Sequence, residues 1–291
     1  MALPFATGVA RRFVAGETLD DAVRAAQALN ARGMIVSLDL LGENTDSQTD
    51  ADRAAQAYLD LFTRLAQDGV SATCSLKLTQ LGLNISREVC LANMRRILDR
   101  ARECHNFVRI DMESSEYVDR TLAIYRTLRG QYGYPNIGVV IQSYLRRSEV
   151  DMRALAAEGA NVRLCKGAYK EPPDIAFPAK ADVDQNYIRL MQVFLSDDAR
   201  THGAYLGAAT HDEKMIQATR DFAAAHGIDR QAFEFQMLYG VRPQRQDQLA
   251  AEGYKMQVYV PYGTEWYPYF MRRLAERPAN VWFIVRNFFR A

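Results

Sequence analysis

Tyr269, Arg272, Arg273 and Glu276 are spaced by three, four and seven residues within the stretch Tyr259 to Asn280, YVPYGTEWYPYFMRRLAERPAN. On a helix that spacing projects them from one side. Two adjacent guanidiniums beside a phenol make a poor core stripe and a good carboxylate clamp, because Arg presents a planar fork of donors. The bland alternative is a solvated Arg pair on an amphipathic helix. A third cation, Lys77, interrupts the apolar run SLKL. Lysine is rarely buried unpaired, so Lys77 either snorkels at a strand end or is held by Asp111 or Glu113 and reaches a substrate carboxylate. A strand-borne lysine can also form a Schiff base. Lys77, Arg272 and Arg273 together suggest a small anionic substrate, with Glu43 as a gate residue that pairs with Arg272 in a lid.

The elements that must position these groups repeat along the chain. Residues 17–32 read as an amphipathic helix closed by Gly33, and the apolar run MIVSLDLLGE follows. Further strands are read in SATCSLKLTQLG, FVRIDMES, IGVVIQSY, NVRLCKGAY, AYLGAATHD, AFEFQMLYG and YKMQVYVPYG, separated by helical periodicity. The last strand passes a Pro-Gly turn and enters the clamp helix near Thr264. Apolar strands alternating with amphipathic helices imply a parallel sheet covered on its outside. Eight such units predict an α/β chain folded as a (β/α)8 TIM-type barrel. No GxGxxG follows the first strand, which weakens a doubly wound alternative. With no linker or composition break, residues 1–291 read as one domain: an N-terminal helical segment over 1–33, the barrel, and C-terminal helices over 264–291. The apolar VWFIVRNFFRA is expected to pack back as a last helix.

Composition narrows the function. The 36 basic and 35 acidic residues give a net charge of +1, which argues against a nucleic-acid partner or a polybasic membrane patch. Cys74, Cys90, Cys104 and Cys165 form no CxxC, and the four histidines form no HxxxH or HxH. A reduced, cytoplasmic setting without a zinc site is the expectation. The apolar start ALPFATGVA lacks the preceding basic residues of a signal peptide.

In a barrel of this kind the chemistry gathers at the carboxyl ends of the strands. There the sequence places Asp39 and Glu43, Lys77, Asp111 and Glu113, Gln142, Arg163 and Lys166, Thr210, His211 and Asp212, Gln236 and Leu238, and Tyr259. Asp111 reads equally as a catalytic group or as a structural ion-pair partner. In RLCKGAY, Arg163 and Lys166 precede Gly167 and Ala168, whose small size lets a cofactor's phosphate or ring approach the backbone while the cations meet its charge. His211 is better suited to bonding or stacking on a cofactor than to metal ligation, with no second His or Cys beside it.

Taken together, IDME, IQSYL, RLCKGAYKEP, ATHD, FEFQMLYG, YVPYG and YFMRRLAERPAN resemble proline dehydrogenase, the FAD enzyme family that oxidises L-proline. The resemblance runs from about residue 12 to the end, with its motifs in order. It implies a distorted (β/α)8 barrel and non-covalent FAD. The expected reaction is hydride transfer from proline C5 to flavin N5, giving Δ1-pyrroline-5-carboxylate, the first step of proline catabolism to glutamate. By motif match, Arg272 and Arg273 bind the proline carboxylate with Lys77, Tyr269 packs on the proline ring, and Tyr259, Leu238 and Asp111 complete the pocket. Arg163 is placed beside flavin N5. Met112, Gln142, Lys166, Gly167, Ala168, Thr210 and His211 take flavin-binding positions, with Glu276 a helix acid near the cofactor. The resemblance further implies a monofunctional enzyme passing electrons to a quinone. It leaves homo-oligomerisation, and peripheral contact with the inner face of a membrane, open.

Overall fold

The structure, a computed structural model, describes residues 12–275, with residues 272–275 by backbone alone. Eight parallel strands close into a barrel in chain order. They are β1 (Ile35–Leu40), β2 (Ala72–Leu76), β3 (Val108–Ile110), β4 (Ile137–Gln142), β5 (Asn161–Cys165), β6 (Tyr205–Ala209), β7 (Glu234–Leu238) and β8 (Lys255–Tyr262). β1 pairs with β8, with Ser37 opposite Tyr259, and this seam closes the ring. The expected barrel and the leading helix, at Leu19–Asn30, are both present.

Local chemistry sets the helix boundaries. The helix Leu19–Asn30 opens on a capping box between Thr18 and Asp21. Ser47 caps Gln48–Asp68 at its start, and Gly69 closes it in the left-handed conformation at φ 61°. Ser86 caps Arg87–Glu103, and Asp212 caps Glu213–Ala225.

The strands are not uniformly apolar; they alternate. Val36 and Leu38, Cys74 and Leu76, Val108 and Ile110, Val162 and Leu164, and Phe235 and Met237 are buried in the apolar core. That core lies between the barrel and its helices. The intervening residues are polar: Ser37 and Asp39, Ser75 and Lys77, Arg109 and Asp111, Arg163, Glu234 and Gln236, Gln257. They point into the lumen, since Arg163 on β5 bonds Ser37 on β1, Asp111 immediately after β3 and Gln236 on β7. In most such barrels branched aliphatics fill this space in layers contributed by alternate strands. Here one such layer is a hydrogen-bonded polar network, which is stable only because its members satisfy one another.

A second apolar cluster of Phe13, Val14, Leu41, Trp266, Tyr269 and Phe270 sits at the carboxyl ends of the strands. Residues 15 and 16 join the end of β8, through Ala15 N to Pro261 O at 2.9 Å and Gly263 N to Gly16 O at 3.0 Å. The N-terminal segment thereby seats the helix Trp266–Ala275 over the barrel mouth. This helix begins two residues later than expected. Glu276 and the apolar segment 281–291 lie outside the described residues, as do the side chains of Arg272 and Arg273. Among the described residues no helix is long and apolar enough to cross a membrane.

Gly138 on β4 reports on the lumen's tightness. A Cβ there would lie 2.5 Å from Arg109 Nη1, 2.6 Å from Asn161 O and 2.7 Å from Phe107 Cζ. Gly138→Ala is therefore expected to cost about 1–3 kcal/mol, read as a lower denaturant midpoint at unchanged slope. Wild-type stability would mean that the lumen yields more readily than this packing indicates.

Candidate active site

A cavity of about 470 Å³ opens at the carboxyl ends of the strands. It brings together most of the residues singled out in the sequence. Lys77, Asp111, Met112, Gln142, Arg163, Lys166, Gly167, Ala168, Thr210, His211, Leu238, Tyr259 and Tyr269 all line it. Glu43 follows β1 in the adjoining loop, near enough to Glu113 to help raise that carboxyl. The proposed contact of Glu43 with Arg272 involves a side chain outside the described residues.

Arg163 is the most constrained cation. Its Nη1 donates to Asp111 Oδ1 at 2.7 Å, its Nε to Gln236 Oε1 at 2.5 Å and its Nη2 to Ser37 Oγ at 3.3 Å. The ring of Tyr259 lies 5.1 Å from the guanidinium carbon, and the Tyr259 hydroxyl donates to Asp111 Oδ2 at 2.8 Å. Burial pushes the phenol's pKa up, and Asp111 and Asp39 push it further. Tyr259 therefore stays a donor, and Asp111 is held between a guanidinium and a phenol.

The expected partner of Lys77 is corrected. Neither Asp111 nor Glu113 makes the contact: Lys77 Nζ lies 3.4 Å from both carboxylate oxygens of Asp39. Glu113 instead accepts from Thr79 Oγ1 at 2.7 Å. The stagger of the strands is the reason. Ser37 is level with Thr73 on the neighbouring strand, yet its hydroxyl meets Ser75, two residues on, at 2.8 Å. The same offset sets Asp39 beside Lys77. Burial works against the Lys77 ammonium, but the carboxylates of Asp39 and Asp111 outweigh it and hold the pKa above the ordinary lysine value. Asp39 is fully buried, and that burial raises its own pKa against the pull of Lys77.

The far wall carries a ring of alternating charges. Lys166 Nζ is 2.5 Å from Asp184 and 2.7 Å from Asp212, while Lys180 reaches the same two carboxylates at 3.0 and 3.2 Å. Burial tends to raise the Asp212 carboxyl, but hydrogen bonds from Lys166, the Lys214 amide and Lys180 hold it well below the ordinary range. Lys166 thus faces the cavity with its charge already matched, which the sequence did not reveal. The (i, i+4) spacing of Lys180 and Asp184 was the available signal. Gly167, which lines the cavity, sits at φ 111°, and a Cβ would overlap the ring of Tyr144, so backbone conformation and packing add a structural need for glycine there.

His211 Nε2 accepts the Leu238 amide at 2.9 Å, which occupies that nitrogen and fixes the ring beside β7. Gln142 donates weakly to Met112 O at 3.5 Å. Its Oε1 is buried with no hydrogen-bond partner, an acceptor waiting for a donor.

Comparison with known proteins agrees with this arrangement. The sequence pattern described as "Proline dehydrogenase" matches residues 22–286. "Proline dehydrogenase" of Deinococcus radiodurans is 45% identical over 96% of this chain and 89% of its own length. "Proline dehydrogenase 1" of Bacillus subtilis is 43% identical over 96% of this chain and 90% of its own length. Among solved structures, proline utilization A from Bdellovibrio bacteriovorus inactivated by N-propargylglycine superposes with a TM-score of 0.84 at 27% identity, over 92% of this chain and 32% of that one. With a family model and relatives matching nearly the full chain, the chain belongs to the proline dehydrogenase family.

Proposed function

We propose that this chain oxidises L-proline to Δ1-pyrroline-5-carboxylate with FAD as its cofactor and passes the electrons to a quinone. The observation that carries this reading is the juxtaposition in one cavity of a protonated lysine, a fixed arginine and the largely buried walls Leu238, Tyr259 and Tyr269. A small molecule with an anionic carboxylate and an apolar ring fits that combination.

The residues present suit a flavin. The orphan acceptor of Gln142 calls for an N–H donor, such as a ring imide, and Gln142 lines the cavity with Met112, Thr210 and His211. These residues, with Lys166, Gly167 and Ala168, would hold the cofactor. When bound, FAD supplies the two-electron acceptor for the hydride that leaves proline C5.

The chain's own residues supply position and charge. Lys77, kept protonated by Asp39, offers N–H donors to the substrate carboxylate, assisted in this reading by Arg272 and Arg273. Tyr259 and Leu238 hold the ring against Tyr269, which limits the bound poses and makes the reaction effectively unimolecular. Arg163 contributes a fixed positive charge that stabilises electron density arriving nearby. The quinone acceptor, homo-oligomeric assembly and contact with a membrane face rest on the family resemblance.

The competing Schiff-base lyase needs a lysine that loses its proton near neutrality, as a depressed pKa provides. Lys77 is shifted the other way. Lys166, the other candidate for the Schiff base, is bonded to Asp184 and Asp212, and borohydride trapping of a substrate adduct on Lys77 or Lys166 would reinstate that alternative.

The first experiment is an absorbance spectrum of purified protein before and after anaerobic L-proline. Flavin bands that bleach with L-proline, and not with pyrrolidine, which lacks the carboxylate, are the expected result. A protein unable to take up FAD would overturn the proposal.

Lys77→Met removes one charged donor to the carboxylate. The expected outcome is a KM for L-proline raised by about 10- to 100-fold, matching the ~1.5–3 kcal/mol of a hydrogen bond to a charged group, with flavin content unchanged. Unaltered KM would remove Lys77 from the substrate clamp.

A further inference from the structure

We propose that Glu234 is a positioning residue for Arg163, acting through the side-chain amide of Gln236. The inference rests on the reading above that Arg163 serves the redox step.

Glu234 and Gln236 sit two residues apart on β7 and face the lumen together. Gln236 Nε2 donates to Glu234 Oε1 at 2.5 Å, and Gln236 Oε1 accepts from Arg163 Nε at 2.5 Å. A guanidinium has only donors and a carboxylate only acceptors. The amide therefore has one consistent orientation between them; the flipped form would set nitrogen against Arg163 and oxygen against Glu234. With the carboxylate removed, nothing on that side fixes the amide's direction.

Four further features hold Glu234 in this role. It is only 7% exposed. The Tyr205 phenol on β6 lies close enough for Glu234 to help raise its pKa, and the Arg109 guanidinium lies within its electrostatic reach. Gly207, level with Glu234 on the neighbouring strand, supplies the space: a Cβ there would overlap Gln236 Nε2 and lie 2.9 Å from its Cδ. A glycine in mid-strand weakens the strand unless close approach requires it, and here the approaching group is the Gln236 amide.

Besides the longer contact to Ser37 Oγ at 3.3 Å, Arg163 thus rests on two short supports of different kinds. Asp111 supplies charge at Nη1, and the Glu234–Gln236 unit supplies direction at Nε. Loss of the second leaves the cation in place on Asp111 but less firmly directed, with only the longer contact to Ser37 and the Tyr259 ring beside it.

The test compares Glu234→Leu, Glu234→Gln, Gly207→Ala and Arg163→Gln as FAD-loaded enzymes. It reads kcat, KM for L-proline and the flavin midpoint potential. Glu234→Leu is expected to lower kcat on the order of tenfold, the scale of a small misplacement. It should also move the potential negative while leaving KM within about twofold. Glu234→Gln, whose amide oxygen still accepts from Gln236, should recover most of both values. Glu234→Leu should add nothing in the Arg163→Gln background.

An unchanged potential in Arg163→Gln overturns the reading of Arg163, and the inference with it. A lowered potential there alongside a wild-type Glu234→Leu, or an additive double variant, overturns the inference alone. If Glu234→Leu does not fold, Gly207→Ala displaces the same amide without altering any charge. It must then show the same fall in kcat and potential; wild-type behaviour refutes the role.

Discussion

The arrangement at the barrel mouth depends on the fixed position of one buried guanidinium. Arg163 sits 6% exposed inside the strand ring, where an unpaired charge would be prohibitive. Its bonds to Asp111, Gln236 and Ser37 reach three other strands across the lumen. Those strands must therefore keep their relative register for the charge to be tolerated. Stability and site geometry are coupled through this contact: any change that slides one strand against another also unsatisfies the arginine.

This coupling explains why the apolar core lies outside the ring. With the lumen given to serines, carboxylates and amides, burial of hydrocarbon has to come from the sleeve between strands and helices, where Tyr58, Phe62, Tyr187 and Phe194 are fully buried. A buried ionic network contributes little net stability compared with well-packed apolar side chains, so the sleeve supplies most of the folding free energy. The lumen in turn supplies a set of side chains whose rotamers are fixed by one another. A site built on such members is pre-organised before any ligand arrives.

Much of this was legible in the sequence, because strand–helix alternation and capping chemistry are local. NVRLCKGAY and AFEFQMLYG read as strands, of which NVRLC and EFQML are, and the eight-fold repeat points to the barrel by counting. The partner of Lys77 was not legible. Asp39, Asp111 and Glu113 all stand near strand ends, and only the stagger between neighbouring parallel strands selects Asp39. A second requirement on Gly167 is illegible for a related reason: a Cβ there would overlap the ring of Tyr144, twenty-three positions away in sequence and adjacent in space. Contacts set by register or by the approach of a distant loop leave no periodic trace.

The same distinction separates the two buried cations chemically. Lys77 and Arg163 each face a carboxylate, yet only lysine can become a nucleophile by losing its proton, since a guanidinium stays charged. Pairing with a fully buried Asp39 works against that route, because neutral Lys77 would leave the carboxylate without its counter-charge. Each pairing therefore favours a fixed positive charge over a nucleophile at these two positions.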